Sequence, residues 1–317
     1  MNRIPSNLGF SRHLIVAFLL AVIVIVPLQY VYPSRAQRGE FNYLPIVDQA
    51  RKDFMLIKEL TLNLSNMGSR FTGYPGYYRA ASFIEKWFNR YLDEVEVQEY
   101  NLTVICDYGA TLTLDNGDKI NVYPLIPNEA AFVYCENLEG QLIYVGSGDW
   151  KNLDGKKIKD AIVILDFNSD LKWLNLAKLG AKAVIFLENP YASRKQAMMK
   201  YLENIPYSFP RFYMKMDDFM KISSRILKGE SITASLTGKT RWENKKAVNI
   251  IGVLKGSGRF PNQAVLLSAY FDSFSVVPSI SPGASEAISP SILLALAKWW
   301  GELPRDQRPD YDIIFVA

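Results

Sequence analysis

Histidine is almost missing from this sequence: the one copy, His13, stands at the start of a hydrophobic N-terminal segment. The rest of the chain offers no imidazole metal ligand, no imidazole general base and no Ser-His-Asp triad. That excludes most hydrolytic mechanisms for the chain as written. Cysteine is nearly as scarce. Cys106 and Cys135 have none of the spacing of a zinc knuckle. In an oxidising compartment they could pair; two separate buried thiols would be as ordinary. Charge of one sign is lacking too, since the net charge is only +4. The short basic clusters, Lys156, Lys157 and Lys159 and then Lys245 and Lys246, are not interleaved with aromatics. They suit solvated loops and speak against a nucleic-acid partner.

What is present is apolar. At 317 residues, 49% hydrophobic and 21% charged, the chain has room for two domains, or for one domain with a large insertion. Arg3, Arg12 and His13 precede a wholly apolar run from Leu14 to Val26, which Pro27 to Pro33 extend with Tyr30 and Tyr32. As a helix, Leu14 to Tyr32 reaches roughly 28 Å, about one hydrocarbon core. The segment reads as an uncleaved signal anchor, with residues 1–36 forming a cytoplasmic tail and membrane span. The alternative is a signal peptide cut after Ser34-Arg35-Ala36. Either puts the remainder outside the cytoplasm, and the acceptor tripeptides at Asn63 and Asn101 agree with that.

The remainder alternates helix and strand. Ala50, Phe54, Ile57, Leu60 and Leu64 recur at helical spacing and predict a helix over 48–67. A turn-rich loop, Ser69-Arg-Phe-Thr-Gly-Tyr-Pro-Gly76, precedes a second amphipathic helix over 77–92 and a strand over 95–100. Its Ser69, Arg70, Gly73, Pro75 and Gly76 are expected to shape the turn and cap the helix. From about 104 to 240 short strands dominate: 111–114 into an Asp-Asn-Gly-Asp turn, 141–145, 161–165 and 182–187, with helices over 171–179 and 217–227. Then Asn249–Leu254 and Ala264–Ala269 predict two buried neighbouring strands. The second delivers Tyr270 to Ser273 at its carboxyl end, where open α/β sheets usually place their sites. Pro282-Gly283 makes a turn. An apolar helix over 291–300 follows, its buried face read as Ile292, Leu293, Leu296, Ala297 and Trp300, and a strand runs from Tyr311 to Ala317.

This order of features resembles the zinc-dependent exopeptidases of the aminopeptidase and glutamate carboxypeptidase type. In those enzymes the strand ends in His-x-Asp-Ser and the next helix is opened by Pro-Gly-Ala-x-Asp-Asn. The His binds zinc, its Asp partner orients it, and the loop's Asp bridges two zinc ions. Here Tyr270 stands at the His position, Asp272 and Ser273 match, and Glu286 falls on the bridging position. The Ser-Arg-x-x-Gly-x-Pro-Gly loop matches at unchanged spacing. Within 104–244, the Gly155 to Asp166 run and the Ala177 to Phe186 run resemble a protease-associated (PA) domain, a module often inserted in this superfamily beside the substrate cleft. The resemblance implies an α/β fold: the first half of a three-layer α/β/α peptidase sheet over 37–103 and 245–317, with a β-rich insert between. The strand on which the chain stops leaves core faces uncovered, as the first half of a longer domain would.

Function then divides on the metal site. A phenol is no ordinary replacement for imidazole, because zinc prefers Cys, His and carboxylate donors. Tyr270, Asp272 and Glu286 are therefore degenerate metal-site positions, and no cofactor is expected. The chain reads as a catalytically silent ectodomain used for binding or assembly, like the nicastrin, nicalin and transferrin-receptor relatives of the family. It would hold the membrane through Leu14–Tyr32 and a protein or peptide partner between insert and core. The alternative is an active zinc aminopeptidase or carboxypeptidase whose remaining ligands lie beyond residue 317. The N-terminal reading is open to a direct test. The chain is expected to stay in the membrane fraction through alkaline carbonate extraction; a soluble mature protein beginning at Gln37 would establish the cleaved signal peptide instead.

Overall fold

The computed structural model describes residues 44–317 except 129, 130, 202–206, 259 and 261. The Leu14–Tyr32 segment, His13 and the whole 1–36 tail and anchor lie outside the described residues, as does part of the segment around Ile205. Among the described residues no helix is long and apolar enough to cross a membrane.

The chain enters through α1 (Leu44–Lys52) and α2 (Met55–Ser65), one helix in the sequence reading but broken here at Asp53 and Phe54. α3 (Pro75–Tyr91) begins on its proline, with Tyr74 extended as N-cap, so the Pro75-Gly76 pair opens the helix rather than closing the loop. Strand β1 then runs from Glu94 to Leu114, far beyond the short strand expected at 95–100. β2 (Lys119–Pro124), β3 (Tyr134–Tyr144), a turn of helix α4 (Trp150–Leu153), β4 (Ile162–Asp166), α5 (Trp173–Lys178), β5 (Ala183–Leu187), α6 (Arg194–Met198), β6 (Arg211–Met214) and α7 (Met216–Leu227) follow. β7 runs from Thr233 to Leu254, and β8 (Ala264–Ser268), α8 (Ile288–Gly301) and β9 (Asp312–Val316) complete the chain.

β1 and β7 pair antiparallel along their whole length, from Glu94 opposite Val253 to Leu114 opposite Ala234, with one bulge between Asp107 and Ala110. At one end of this ribbon β7 also pairs β9, and β8 pairs β9 in parallel. The expected adjacency of Asn249–Leu254 and Ala264–Ala269 is therefore wrong, because β9 lies between them. The crossover through α8 explains it: β8 and β9 are parallel and joined by a helix, so they pair with each other. At the other end, β1–β2, β2–β6, β6–β5, β5–β4, β4–β3 and β3–β7 pairings return to the ribbon and close a ring of seven strands.

Buried side chains follow this division. One core gathers Leu60, Leu64, Ile84 and Phe88 from α2 and α3, Leu294 and Trp299 from α8, and Ile250, Leu254, Ile313 and Phe315 from β7 and β9. Trp299, not Trp300, is the fully buried member of the tryptophan pair, and α8 is apolar nearly all round. α3 and its C-cap lie so close to β7 that a Cβ on Gly252 would lie 2.3 Å from Leu92 Cδ1 and 3.0 Å from Phe88 Cδ2, so a larger residue there forces these side chains to move. Two further cores are built inside and beside the ring, and Val276 and Val277 from the loop after β8 enter the second of them. The limits expected for an insert, 104 and 244, fall in the middle of β1 and β7 and coincide with no break in the strands.

The helices packed on β7, β8 and β9 share one core with a single face of those strands. On the opposite face Ile251, Val253, Ile314 and Val316 are half-buried and Leu266 is 60% exposed. Among the described residues this region has two layers, not the expected three. Cys106 and Cys135 are free buried thiols. They sit on β1 and β3, the two strands flanking β7. Two strand spacings are roughly 9.6 Å, beyond the reach of a disulfide.

One buried cation makes stability depend on pH. The ammonium of Lys200, fully buried, lies over the rings of Phe167 and Phe186 and donates to Asp170 O at 2.7 Å. Burial, offset in part by Asp170, pushes its pKa down to about 8 from an ordinary 10.5. The unfolded chain then holds the proton more tightly. The penalty is full below pH 8 and is relieved as the pH rises toward 10.5. Lys200→Met is expected to raise stability at pH 7 by up to ~3 kcal/mol and to flatten the rise above pH 8. Urea unfolding of the two proteins across that pH range checks both.

Candidate functional site

The site grows from the end of β8, where the chain leaves the sheet as Ala269-Tyr-Phe-Asp-Ser273. Phe271 turns inward and stacks on Tyr77 of α3 at 4.9 Å. Alternation then puts Tyr270 and Asp272 on the other side of the backbone. Tyr270 is 62% exposed, while the carboxylate of Asp272 accepts from Thr72 Oγ1 at 2.8 Å. The hydroxyl of Ser273 is buried and donates to Ser281 O at 2.6 Å, which ties the strand end to the loop leading into α8.

Arg70 holds these pieces together. Its side chain is fully buried. Nε donates to Phe271 O at 2.9 Å, Nη1 to Leu64 O at 3.1 Å and to Pro282 O, and Nη2 to Gly283 O at 2.9 Å. Its backbone N–H donates to Ser281 O, and its carbonyl accepts from Ser273 N. One guanidinium thereby fastens the end of α2, the end of β8 and the Pro282-Gly283 turn, a use that its planar five-donor fork suits. The expectation that Arg70 merely shapes a turn and caps a helix is too modest. The clue in the sequence was a permanently charged side chain in a loop that otherwise reads as turn formers.

Glu286, two residues before α8, lies close enough for its charge to act on the same guanidinium. A Cβ added to Gly283 would lie 3.0 Å from Glu286 Oε2, 3.1 Å from Arg70 Nη2 and 2.4 Å from Ser273 Cβ. Gly283 also has a φ of +58°, so glycine is required both for space and for conformation. Burial lowers the pKa of Arg70, and the charges of Glu286 and Asp272 act in the opposite direction. The structure thus brings two of the three sequence-identified positions, Asp272 and Glu286, to one cation, and leaves Tyr270 at the surface. The hydrogen bond of Asp272 goes to Thr72, not to the phenol. Among the described residues, no three His, Cys, Asp or Glu side chains come together as a metal site.

Beyond Ser273 the chain crosses to the seven-stranded ring. Phe274 is 50% exposed and packs on Phe71, and Val276 O accepts from Ile126 N at 2.8 Å. The loop from 274 to 281 therefore has one end at Asp272 and its middle buried in the ring's core.

Comparison with solved structures places this arrangement. The structure is similar to a peptidase M28 precursor from Shewanella amazonensis, with TM-score 0.54 and 16% identity over 86% of this chain and 67% of that one. It is also similar to a zinc aminopeptidase from Bacillus subtilis, with TM-score 0.52 and 24% identity over 84% of this chain and 60% of that one. The chain thus has a mixed α/β, M28-like peptidase fold and spans about two thirds or less of the length of these proteins. No family model matches the sequence, and no curated protein sequence matches it.

The clamp has a measurable consequence. Arg70→Met leaves buried carbonyls without donors, and Arg70→Lys supplies charge but cannot span four acceptors. Both variants are expected to lose about 3 kcal/mol or more of stability. Glu286→Gln, at the half-buried rim, should cost less than about 1 kcal/mol. Urea midpoints of the full chain in detergent decide it; an Arg70→Lys protein as stable as the parent would show that the clamp is dispensable.

Proposed function

From the M28-like peptidase fold we propose that this chain is a membrane-anchored, catalytically silent peptidase-like ectodomain that binds or assembles with another polypeptide. Residues 1–36 form the cytoplasmic tail and signal anchor, 37–103 and 245–317 the peptidase-like core, and 104–244 a PA-like insert. The apolar Leu14–Tyr32 run supports the anchor. The separate cores inside the strand ring support the insert, and the two long strands that enter and leave it explain how it is held rigidly to the host.

The observation that carries the silent reading is the side chain at the end of β8. Where the family resemblance calls for a zinc-binding imidazole, an aspartate that orients it and a bridging aspartate, this chain has the exposed phenol of Tyr270, an Asp272 hydrogen-bonded to Thr72, and Glu286. Such a donor set does not fit a zinc pair. Zinc sites need three or four Cys, His or carboxylate ligands, and among the described residues no three come together here. Two carboxylates alone make a hard oxygen site, suited at most to weak calcium or magnesium binding.

The test uses the full chain purified in detergent. Zinc calorimetry and metal analysis are expected to show no stoichiometric zinc, and an aminoacyl or peptide substrate is expected to remain intact with zinc added. Tight binding of one or two zinc ions, abolished by Glu286→Ala, would overturn the reading and favour the zinc exopeptidase instead.

A further inference from the structure

The loop between β8 and α8, which carries Asp272 and Glu286, also forms one wall of a cavity. It holds about 230 Å³ and is lined by Phe167, Tyr213, Val276, Val277 and Ile280, with Arg194 at the start of α6. Phe167, Tyr213 and Arg194 come from the strand ring; the two valines and Ile280 come from the loop. A cavity of roughly 150 Å³ already accommodates a benzene ring, so this one has room for a single leucine- or phenylalanine-sized side chain. Its walls are mainly apolar, and its charged group is a cation.

Among the described residues that charge has no ion-pair partner. Arg194 is exposed and takes part in none of the ion pairs found among the described residues. The acids nearby are occupied. Glu188 interacts with the Tyr213 hydroxyl and accepts from Met216 N at 2.8 Å. Asp170 accepts from Gln196 Nε2 at 2.7 Å, and its carbonyl accepts from Lys200. The buried Lys200 ammonium lies 5.6 Å from the centre of the Phe167 ring, a second positive charge near this wall. Next to the mouth, Tyr191 is 86% exposed, and Tyr and Arg together are the residues most enriched where proteins bind other chains.

We propose that this cavity binds the carboxyl-terminal residue of a polypeptide whose last side chain is large and apolar. The side chain enters between Phe167 and the Val276-Val277 wall, the terminal carboxylate meets Arg194, and the Tyr191 ring covers the preceding peptide unit. A free carboxylate joined to an apolar group matches a cation that has no ion-pair partner among the described residues and stands beside an apolar cavity. The proposal rests on the reading that this region binds a polypeptide rather than cutting one. It assigns the contact to the junction of ring and loop, not to Asp272 and Glu286.

The experiment is fluorescence anisotropy with the full chain in detergent and three probes: fluorescein-labelled Gly-Gly-Phe as free acid, the same peptide as its C-terminal amide, and Gly-Gly-Gly as free acid. The free-acid phenylalanine peptide should bind saturably below about 1 mM, and each of the other two about tenfold more weakly. Arg194→Met should bring the acid down to the affinity of the amide and leave the amide unchanged. Ala192→Trp, at an exposed rim position, should block all binding without touching a core. Equal binding of acid and amide, no binding of any probe at 1 mM, or indifference to Ala192→Trp would each overturn the assignment. Mass spectrometry of the same samples, with and without zinc, separates the two ideas. Cleavage would overturn the silent reading while leaving the cavity's affinity intact, and loss of affinity without cleavage would do the reverse.

Discussion

The pairing of β1 with β7 is the constraint on which the rest of the structure depends. It joins residues more than a hundred positions apart, and both halves of the molecule are built on it. At one end the ribbon supplies the floor on which α2, α3 and α8 bury their apolar faces. At the other it closes the seven-strand ring. Because the same two strands serve both, neither half can shift register without dragging its side chains to the wrong face in the other. A flexible tether between two domains would carry no such coupling.

On that frame the peptidase-like site is held by one buried cation. Arg70 is committed to four carbonyls from three separate segments, so it cannot move without releasing the strand end and the Pro282-Gly283 turn. Burial of that charge is tolerable because four of its N–H groups meet carbonyl oxygens and the charges of both acids favour it. The phenol at 270, with no charge to offer and no partner in the cluster, faces solvent. The same scaffold that would hold a metal-binding loop in an enzyme here holds a loop whose middle is committed to the neighbouring core.

That commitment links the two candidate surfaces. The 274–281 loop starts beside Asp272, buries Val276 and Val277 in the ring's core, and returns to Arg70 through Ser281. Anything that fills the cavity between this loop and Phe167 presses on a segment anchored at both ends to the Arg70 clamp. Binding at the ring and order around Asp272 therefore share one piece of backbone.

Much of this was legible in the sequence, for physical reasons that can be named. Helical spacing marked α3, and the apolar runs marked β4, β5, β8 and β9, because burial on a period of 3.6 or over a continuous buried strand leaves a local pattern. The Pro-Gly turn, the acid at 272 and the acid at 286 could be placed by motif spacing alone, and Tyr270 in the histidine position was visible as an identity. What the sequence could not determine was everything decided between distant segments. The reach of β1 and β7 depends on a partner far along the chain, and the polar middle of β7, from Thr237 to Lys246, carries no local strand signal. The place of β9 between β7 and β8 follows from a crossover helix, and the separation of Cys106 from Cys135 follows from β7 lying between their strands. The role of Arg70 likewise appeared only when four carbonyls from α2, β8 and the turn converged on it, because a hydrogen-bond clamp is a property of positions in space and leaves no period in a sequence.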